Sequence, residues 1–358
     1  MRYLKLILLI LLFAGCEEYF VPNVGTVQPV YTFEGYVTDQ PGPYCVKIMK
    51  SSGYNAKKQL GFVPDAIVTI ECQNGQSYSL TYDSAGCYYT DSAAFVGKVG
   101  NSYRLKVETA DGKMFESEYD QMPACPEIEE LTAQYYQRKI VTYDGNYYHD
   151  EIERGLQVLN TTYAYGHTPY YRYDCKLILQ SQQRYSSPPM LFDRYIFRPV
   201  SSYGNLYITN AKDYVGQYIK GNQLQCTTTK TLLHYSDLSL IEGMEFDVTN
   251  CGEYVRVTQY SMTEAQYKYW FAIKYQLENK NYLFGQMEYQ VVGNIKCISN
   301  PDETALGFFG ASAAKSRIRA FTVHENSQKV FTYDIKSFPD TDTTVVYESY
   351  QRFSTTFE

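Results

Sequence analysis

The chain lacks the patterns that usually carry catalysis. H-E-x-x-H, G-x-S-x-G and G-x-x-x-x-G-K-[ST] are all missing, which removes the common routes to zinc proteolysis, serine hydrolysis and nucleotide binding. Histidine is scarce, with four in 358 residues. His149, His167, His234 and His324 never fall three to five residues apart, so no local metal pair exists. C-x-x-C does not occur either, which argues against a zinc ribbon. Positive charge is short: 32 Lys and Arg stand against 39 Asp and Glu, for a net charge of −7. Nucleic-acid binding needs clustered cations to displace the counterions of phosphates, so that class is excluded. Asp340-Thr341-Asp342 has carboxylates but no glycine and no distal glutamate, and reads as a solvated loop rather than a calcium site. Acid pairs such as Glu129-Glu130 and Asp150-Glu151 carry no information about their spacing in space, which glycosidase chemistry requires. The sequence therefore offers no catalytic residue, no metal site and no cofactor, and the expectation is a protein that is not an enzyme.

Long apolar runs are missing as well. The longest opens the chain: Arg2 and Lys5 precede or interrupt an apolar stretch from Leu4 to Phe13. That is half of the roughly 20 residues needed to cross a bilayer as a helix, and it has the layout of an export signal. It ends at Ala14-Gly15-Cys16, which resembles the lipobox of bacterial lipoproteins, with Phe13 where those proteins usually carry leucine. The resemblance implies a signal peptide over residues 1–15, cleavage before Cys16 and acylation of Cys16 with palmitate-like chains. Two or three such chains, at about 0.8 kcal/mol per buried methylene, hold a protein on a lipid bilayer durably. Glu17 and Glu18 resemble the acidic signal that sends lipoproteins of the Bacteroidota to the outer face of the outer membrane.

Removing 15 residues leaves 343, more than one core usually serves, so two domains are expected. Tyrosine is abundant, at 39 residues against 18 Phe. It suits half-exposed strands and also contact surfaces, and both readings stay open. Eight cysteines remain besides Cys16. Outside the cytoplasm they suit disulfides, but eight allow 105 pairings. Cys226 and Cys251 are expected to pair across a connecting loop or hairpin, with buried thiols as the competing reading for several others.

After an anchor and linker over 16–29, residues 30–125 show about seven short strands broken by turns. Val30 to Thr38, Tyr44 to Lys50, Ala66 to Cys72 and Gln76 to Tyr82 alternate in the period of a strand. Asn74-Gly75 predicts a type I′ hairpin turn between the last two. The fold class expected is mainly β: an immunoglobulin-like β-sandwich followed, over 126–358, by a larger β-rich domain with one clear helix near 262–279. Ser261 with Glu264 predicts a capping box, and Ala265, Tyr269, Ala272, Ile273, Gln276 and Leu277 would share one helix face beside Trp270. Gln183 to Gln225 holds few periods and predicts long surface loops. Ala305 to Ala314 predicts a buried strand.

Several phrases together resemble a lipoprotein family of the Bacteroidota whose members carry a domain of unknown function. They include Phe33-Glu34-Gly35-Tyr36-Val37-Thr38-Asp39, the run from Tyr103 to Lys113, Ser261 to Trp270, Val292-Gly293-Asn294-Ile295 and Leu306 to Ser312. The resemblance implies an outer-membrane lipoprotein encoded beside a TonB-dependent receptor, with an accessory part in nutrient import. On that expectation the protein is non-enzymatic and faces the cell exterior, with partner contacts at Tyr185, Tyr195, Tyr203 and Tyr207 in the expected loops. The alternative is a free-standing binder of glycans or peptides.

Overall fold

A computed structural model describes residues 29–51, 60–91, 95–143, 145–166, 169–187, 190–200, 206–228, 247–279, 290–324, 329–339, 343 and 345–352. The described chain is mainly β, with one α-helix.

Alternation of apolar and polar residues builds the first sheet. β1 (Tyr31–Thr38) turns Tyr31, Phe33 and Val37 inward, and β2 (Cys45–Ser51) turns in Val46 and Ile48. β3 (Leu60–Phe62), β4 (Ile67–Cys72), β5 (Ser77–Tyr82), β6 (Cys87–Thr90), β7 (Ser102–Glu108), β8 (Met114–Ser117) and β9 (Asp120–Gln121) come next at short intervals. The β4–β5 hairpin forms as expected, but its turn is not type I′. Gly75 donates to Cys72 O at 2.9 Å and Cys72 N to Gln76 O at 2.8 Å, and positive φ falls on Gly75 alone. This is a type I turn closed by a glycine bulge, one residue longer than a I′ connection.

β10 (Ile128–Tyr143) and β11 (Tyr148–Tyr163) form a hairpin of 16-residue strands, joined on one side by β15 (Tyr218–Thr228). The remaining sheet uses β12 (Tyr170–Ser187), β13 (Met190–Val200), β14 (Tyr207–Asn210), β16 (Asp247–Ser261), β19 (Ala314–His324), β20 (Lys329–Tyr333) and β21 (Val345–Arg352). These strands correct the expectation of long loops over Gln183 to Gln225. β12 runs on to Ser187 and pairs residue by residue with β13, and β14 and the first part of β15 also fall inside that stretch. In sequence, runs such as Gln182-Gln183-Arg184-Tyr185 show no apolar–polar alternation, so their period is not legible.

The first sheet is not confined to residues 30–125. β17 (Ile295–Cys297) joins β8, and β18 (Ala305–Ser312) pairs in parallel with β1, so the order runs β17-β8-β7-β4-β5-β6-β2-β1-β18. Phe33 of β1 and Phe115 of β8 lie far apart in that order, yet their rings are 4.9 Å apart. The sheet therefore curls onto itself around one core that includes Phe33, Ile48, Ile70, Leu105, Phe115 and Phe309. Each such side chain contributes roughly 1.5–3 kcal/mol by leaving water. A second core, with Leu131, Leu156, Tyr171, Leu177, Val257 and Phe321, lies between the hairpin sheet and the β12–β16–β19 sheet. β18 passes through buried Ala313 into β19, so one extended segment belongs to both sheets. Ala305 to Ala314 is a buried strand, as its small residues suggested.

Candidate binding cleft

The helix α1 (Glu264–Asn279) sits where the two β regions meet, and its start is fixed by side chains. Thr263 Oγ1 accepts the Gln266 amide at 3.3 Å and donates to Asp120 Oδ1 at 2.8 Å. Thr263, not Ser261, is thus the capping residue. Ser261 still belongs to β16, and its hydroxyl donates to Pro123 O at 2.8 Å. Gln266, one turn in, is 3% exposed. Its side chain donates to Ala311 O at 2.9 Å and to Asp120 Oδ2, and accepts from Ser312 Oγ at 3.0 Å. Ala311 N donates to the same Asp120 Oδ2 at 2.8 Å. Asp120 therefore receives hydrogen bonds from β18 and from Thr263 and Gln266 at the start of α1. Burial pushes its carboxyl above the usual range, against the pull of these three donors. Gly310 makes room for this arrangement, because a Cβ there would lie 2.9 Å from the Gln266 amide.

That clamp corrects the expected inward face of α1. Ala265 and Leu277 are exposed, and the face toward the protein runs through Gln266, Tyr269, Trp270 and Ile273. Beneath the last three lies a cleft of about 440 Å³, closed below by Phe33, Glu34 and Leu306 of the paired strands β1 and β18. The Tyr269 ring packs at 5.1 Å from Phe308 and 5.4 Å from Trp270. Burial, with a smaller push from Glu34, moves the Tyr269 phenol up to about 12. Behind Trp270, the Arg172 guanidinium stands 5.1 Å from the indole, 4.5 Å from the Tyr260 ring and 5.4 Å from the Tyr36 ring. It also donates to Asp174 at 3.1 Å. Cation–π contacts on three rings hold Arg172 as a wall rather than as a free charge. Glu34 stands opposite Lys47 in the β1–β2 register, yet among the described residues no ion pair engages it. The cleft offers aromatic and aliphatic surface with Glu34, Gln276 and Gln290 as polar groups. Among the described residues no group of three or more His, Cys, Asp or Glu could hold a metal ion.

A second feature projects from the fold. Ile128, Leu131, Leu156 and Val158 root the β10–β11 hairpin in the second core. Its far end leaves that core, and Val141, Tyr143, Tyr147, Tyr148 and Ile152 are exposed. The Tyr143 and Tyr148 rings pack tilted with their centres 4.9 Å apart, and the Tyr143 hydroxyl donates to Gly145 O at 2.7 Å.

The positions singled out in the sequence do not gather at either place. Cys16 and Tyr203 lie outside the described residues. Tyr185 and Tyr195 fall on the paired strands β12 and β13, and Cys226 and Cys251 on β15 and β16, which belong to different sheets. The side chains of these four lie outside the described residues. Tyr207 is half-buried against the second core. Glu34, Arg172 and the hairpin-tip tyrosines were not anticipated. The tip had a usable signal in Tyr143-Asp144-Gly145-Asn146-Tyr147-Tyr148, a turn flanked by aromatics.

Residues 17–318 match the family described as Domain of unknown function (DUF4249). The chain belongs to this family. The DUF4249 match ends within β19, so it takes in the first core, the hairpin, α1 and β18, and most of the second core, leaving out Phe321. No curated protein and no solved structure matches the chain.

Proposed function

We propose that the protein is a non-enzymatic lipoprotein of the outer-membrane surface in the Bacteroidota, anchored through acylated Cys16. It assists a TonB-dependent transporter in nutrient import. The observation that carries this reading is the tip of the β10–β11 hairpin, where Tyr147 and Tyr148 are 72% and 77% exposed. Aromatic side chains held in water at the end of a rooted arm are anchors for a protein partner, because a few buried aromatics supply most of the energy of an interface. The partner in this reading is the outward face of the receptor barrel, and the Tyr-rich hairpin replaces the expected loop tyrosines as the contact. In this reading the first region is an immunoglobulin-like sandwich that serves as the stem, its antiparallel strands extended by β18 in parallel beside β1.

The test is capture from native membranes. The wild-type lipoprotein should retain a β-barrel receptor, and the triple variant Tyr143→Ser, Tyr147→Ser, Tyr148→Ser should retain at least tenfold less. Because these side chains are exposed, the variant should keep the wild-type circular dichroism and melting curve. Recovery of no β-barrel by the wild type, or equal recovery by the variant, would defeat the reading.

The cleft favours a second reading, a free-standing binder of glycans or peptides. Trp270 is the one tryptophan in the chain and lines the cleft. A ligand stacking there should change its emission in a titration, and Glu34→Gln should weaken the response at least fivefold. An unchanged spectrum across glycan and peptide panels would remove this reading.

A further inference from the structure

Two thiols meet on the outer face of the first sheet. β2 and β6 are antiparallel neighbours with Cys45 opposite Tyr89, Val46 opposite Tyr88 and Lys47 opposite Cys87. Val46 and Tyr88 turn into the core, at 0% and 1% exposure. Alternation therefore sends Cys45 and Cys87 to the other face, where both are half-buried. They are diagonal partners rather than direct ones, and the right-handed twist of antiparallel strands brings one of the two diagonals close. Their side chains are near neighbours, close enough for Cys87 to raise the Cys45 pKa, and Tyr89, opposite Cys45, shares their face. Cys72, Cys125, Cys175 and Cys297 are instead buried among core residues.

We propose that Cys45 and Cys87 are a disulfide site that staples β2 to β6 in the mature protein. The oxidising compartment it needs rests on the proposed export of the chain. In the bridging step a thiolate of the pair attacks a disulfide oxidant R–S–S–R and releases one R–S⁻. The second thiolate then displaces the other R–S⁻, closing the S–S bond. Two electrons pass from the cysteine sulfurs to the oxidant, and the two thiol protons end on the two R–SH products. Burial and the adjacent Cys87 push the Cys45 thiol up to about 11. Little Cys45 thiolate exists at neutral pH, so the exchange through Cys45 is slow there and quickens as pH rises toward that value.

The experiment equilibrates the folded, reduced protein with oxidised glutathione, alkylates without reductant and maps the peptides by mass. A peptide pair joined through Cys45 and Cys87 should appear, two hydrogens lighter than its separate parts, and neither cysteine should be alkylated. In Cys87→Ser, Cys45 should carry either the alkylating group or a single glutathione and no bridge to another cysteine, while the fold is kept. Full alkylation of both residues in the equilibrated wild type, or a bridge from either one to a different cysteine, would overturn the proposal. The export reading is judged separately by the mass of the amino-terminal peptide from cells. An unmodified Cys16 would sink that reading and leave the in vitro result on the thiol pair standing.

Discussion

Asp120→Ala is expected to destabilise the protein by about 3–5 kcal/mol, measured as the shift in a urea unfolding curve of the chain beginning at residue 17. The side chain is 5% exposed and accepts from Ala311 N, Gln266 Nε2 and Thr263 Oγ1. Alanine removes the acceptor and strands these donors where water does not reach. Asp120→Asn should cost far less. Its oxygen can take the two bonds at Oδ2, and its amide can donate to the Thr263 hydroxyl, which also accepts. The pair of variants separates loss of the acceptor from loss of the charge. Burial raises the Asp120 pKa in the folded protein, so the native state holds this proton more tightly than the unfolded chain does. The contribution of the protonated form to stability is fully present below the unfolded value of about 3.9 and is lost as pH rises through the raised folded value. Wild type minus Asp120→Asn should therefore show stability falling with pH across that window. A flat difference would show that the three donors cancel the effect of burial. Equal losses for alanine and asparagine would show that the clamp is not built from these hydrogen bonds.

Gly307→Ala is expected to abolish the first sheet, with a cost above about 4 kcal/mol. A Cβ on Gly307 would lie 1.8 Å from Phe33 O, and its φ is +102°. A Cβ on Gly293 would in turn lie 1.5 Å from Gly307 O. Three backbones are stacked here, and a carbonyl in a paired strand cannot swing aside as a flexible side chain can. The strand β18 would lose its place beside β1, and with it the floor of the cleft and the support for α1. The readout is soluble yield and the far-ultraviolet spectrum. Gly75→Ala is the control: it has a φ of +93° but nothing within 4 Å of its Cβ, so only conformational strain of about 1 kcal/mol is expected. A Gly307→Ala protein that melts within a few degrees of wild type would contradict the close approach.

By itself the sequence determined what depends on neighbours along the chain. The alternation in VYTFEGYVT, AIVTIEC and SYRLKV marks strands because a pleated strand repeats every two residues, and the run of small residues from Ala305 marks a strand that other backbones approach. The helix near 262–279 was legible for the same reason, although Thr263 rather than Ser261 caps it, since both hydroxyls stand at plausible spacing and only the end of β16 decides between them. Tertiary structure alone decided which strands became neighbours. Nothing local tells β18 to pair with β1 some 270 residues earlier, nor Gln266 to turn inward toward Asp120. A buried glutamine gains its place only from partners contributed by β9 and β18. The cleft and the Cys45–Cys87 juxtaposition obey the same rule. Each is made by residues whose chemistry is ordinary in sequence and becomes specific once long-range pairing sets them side by side.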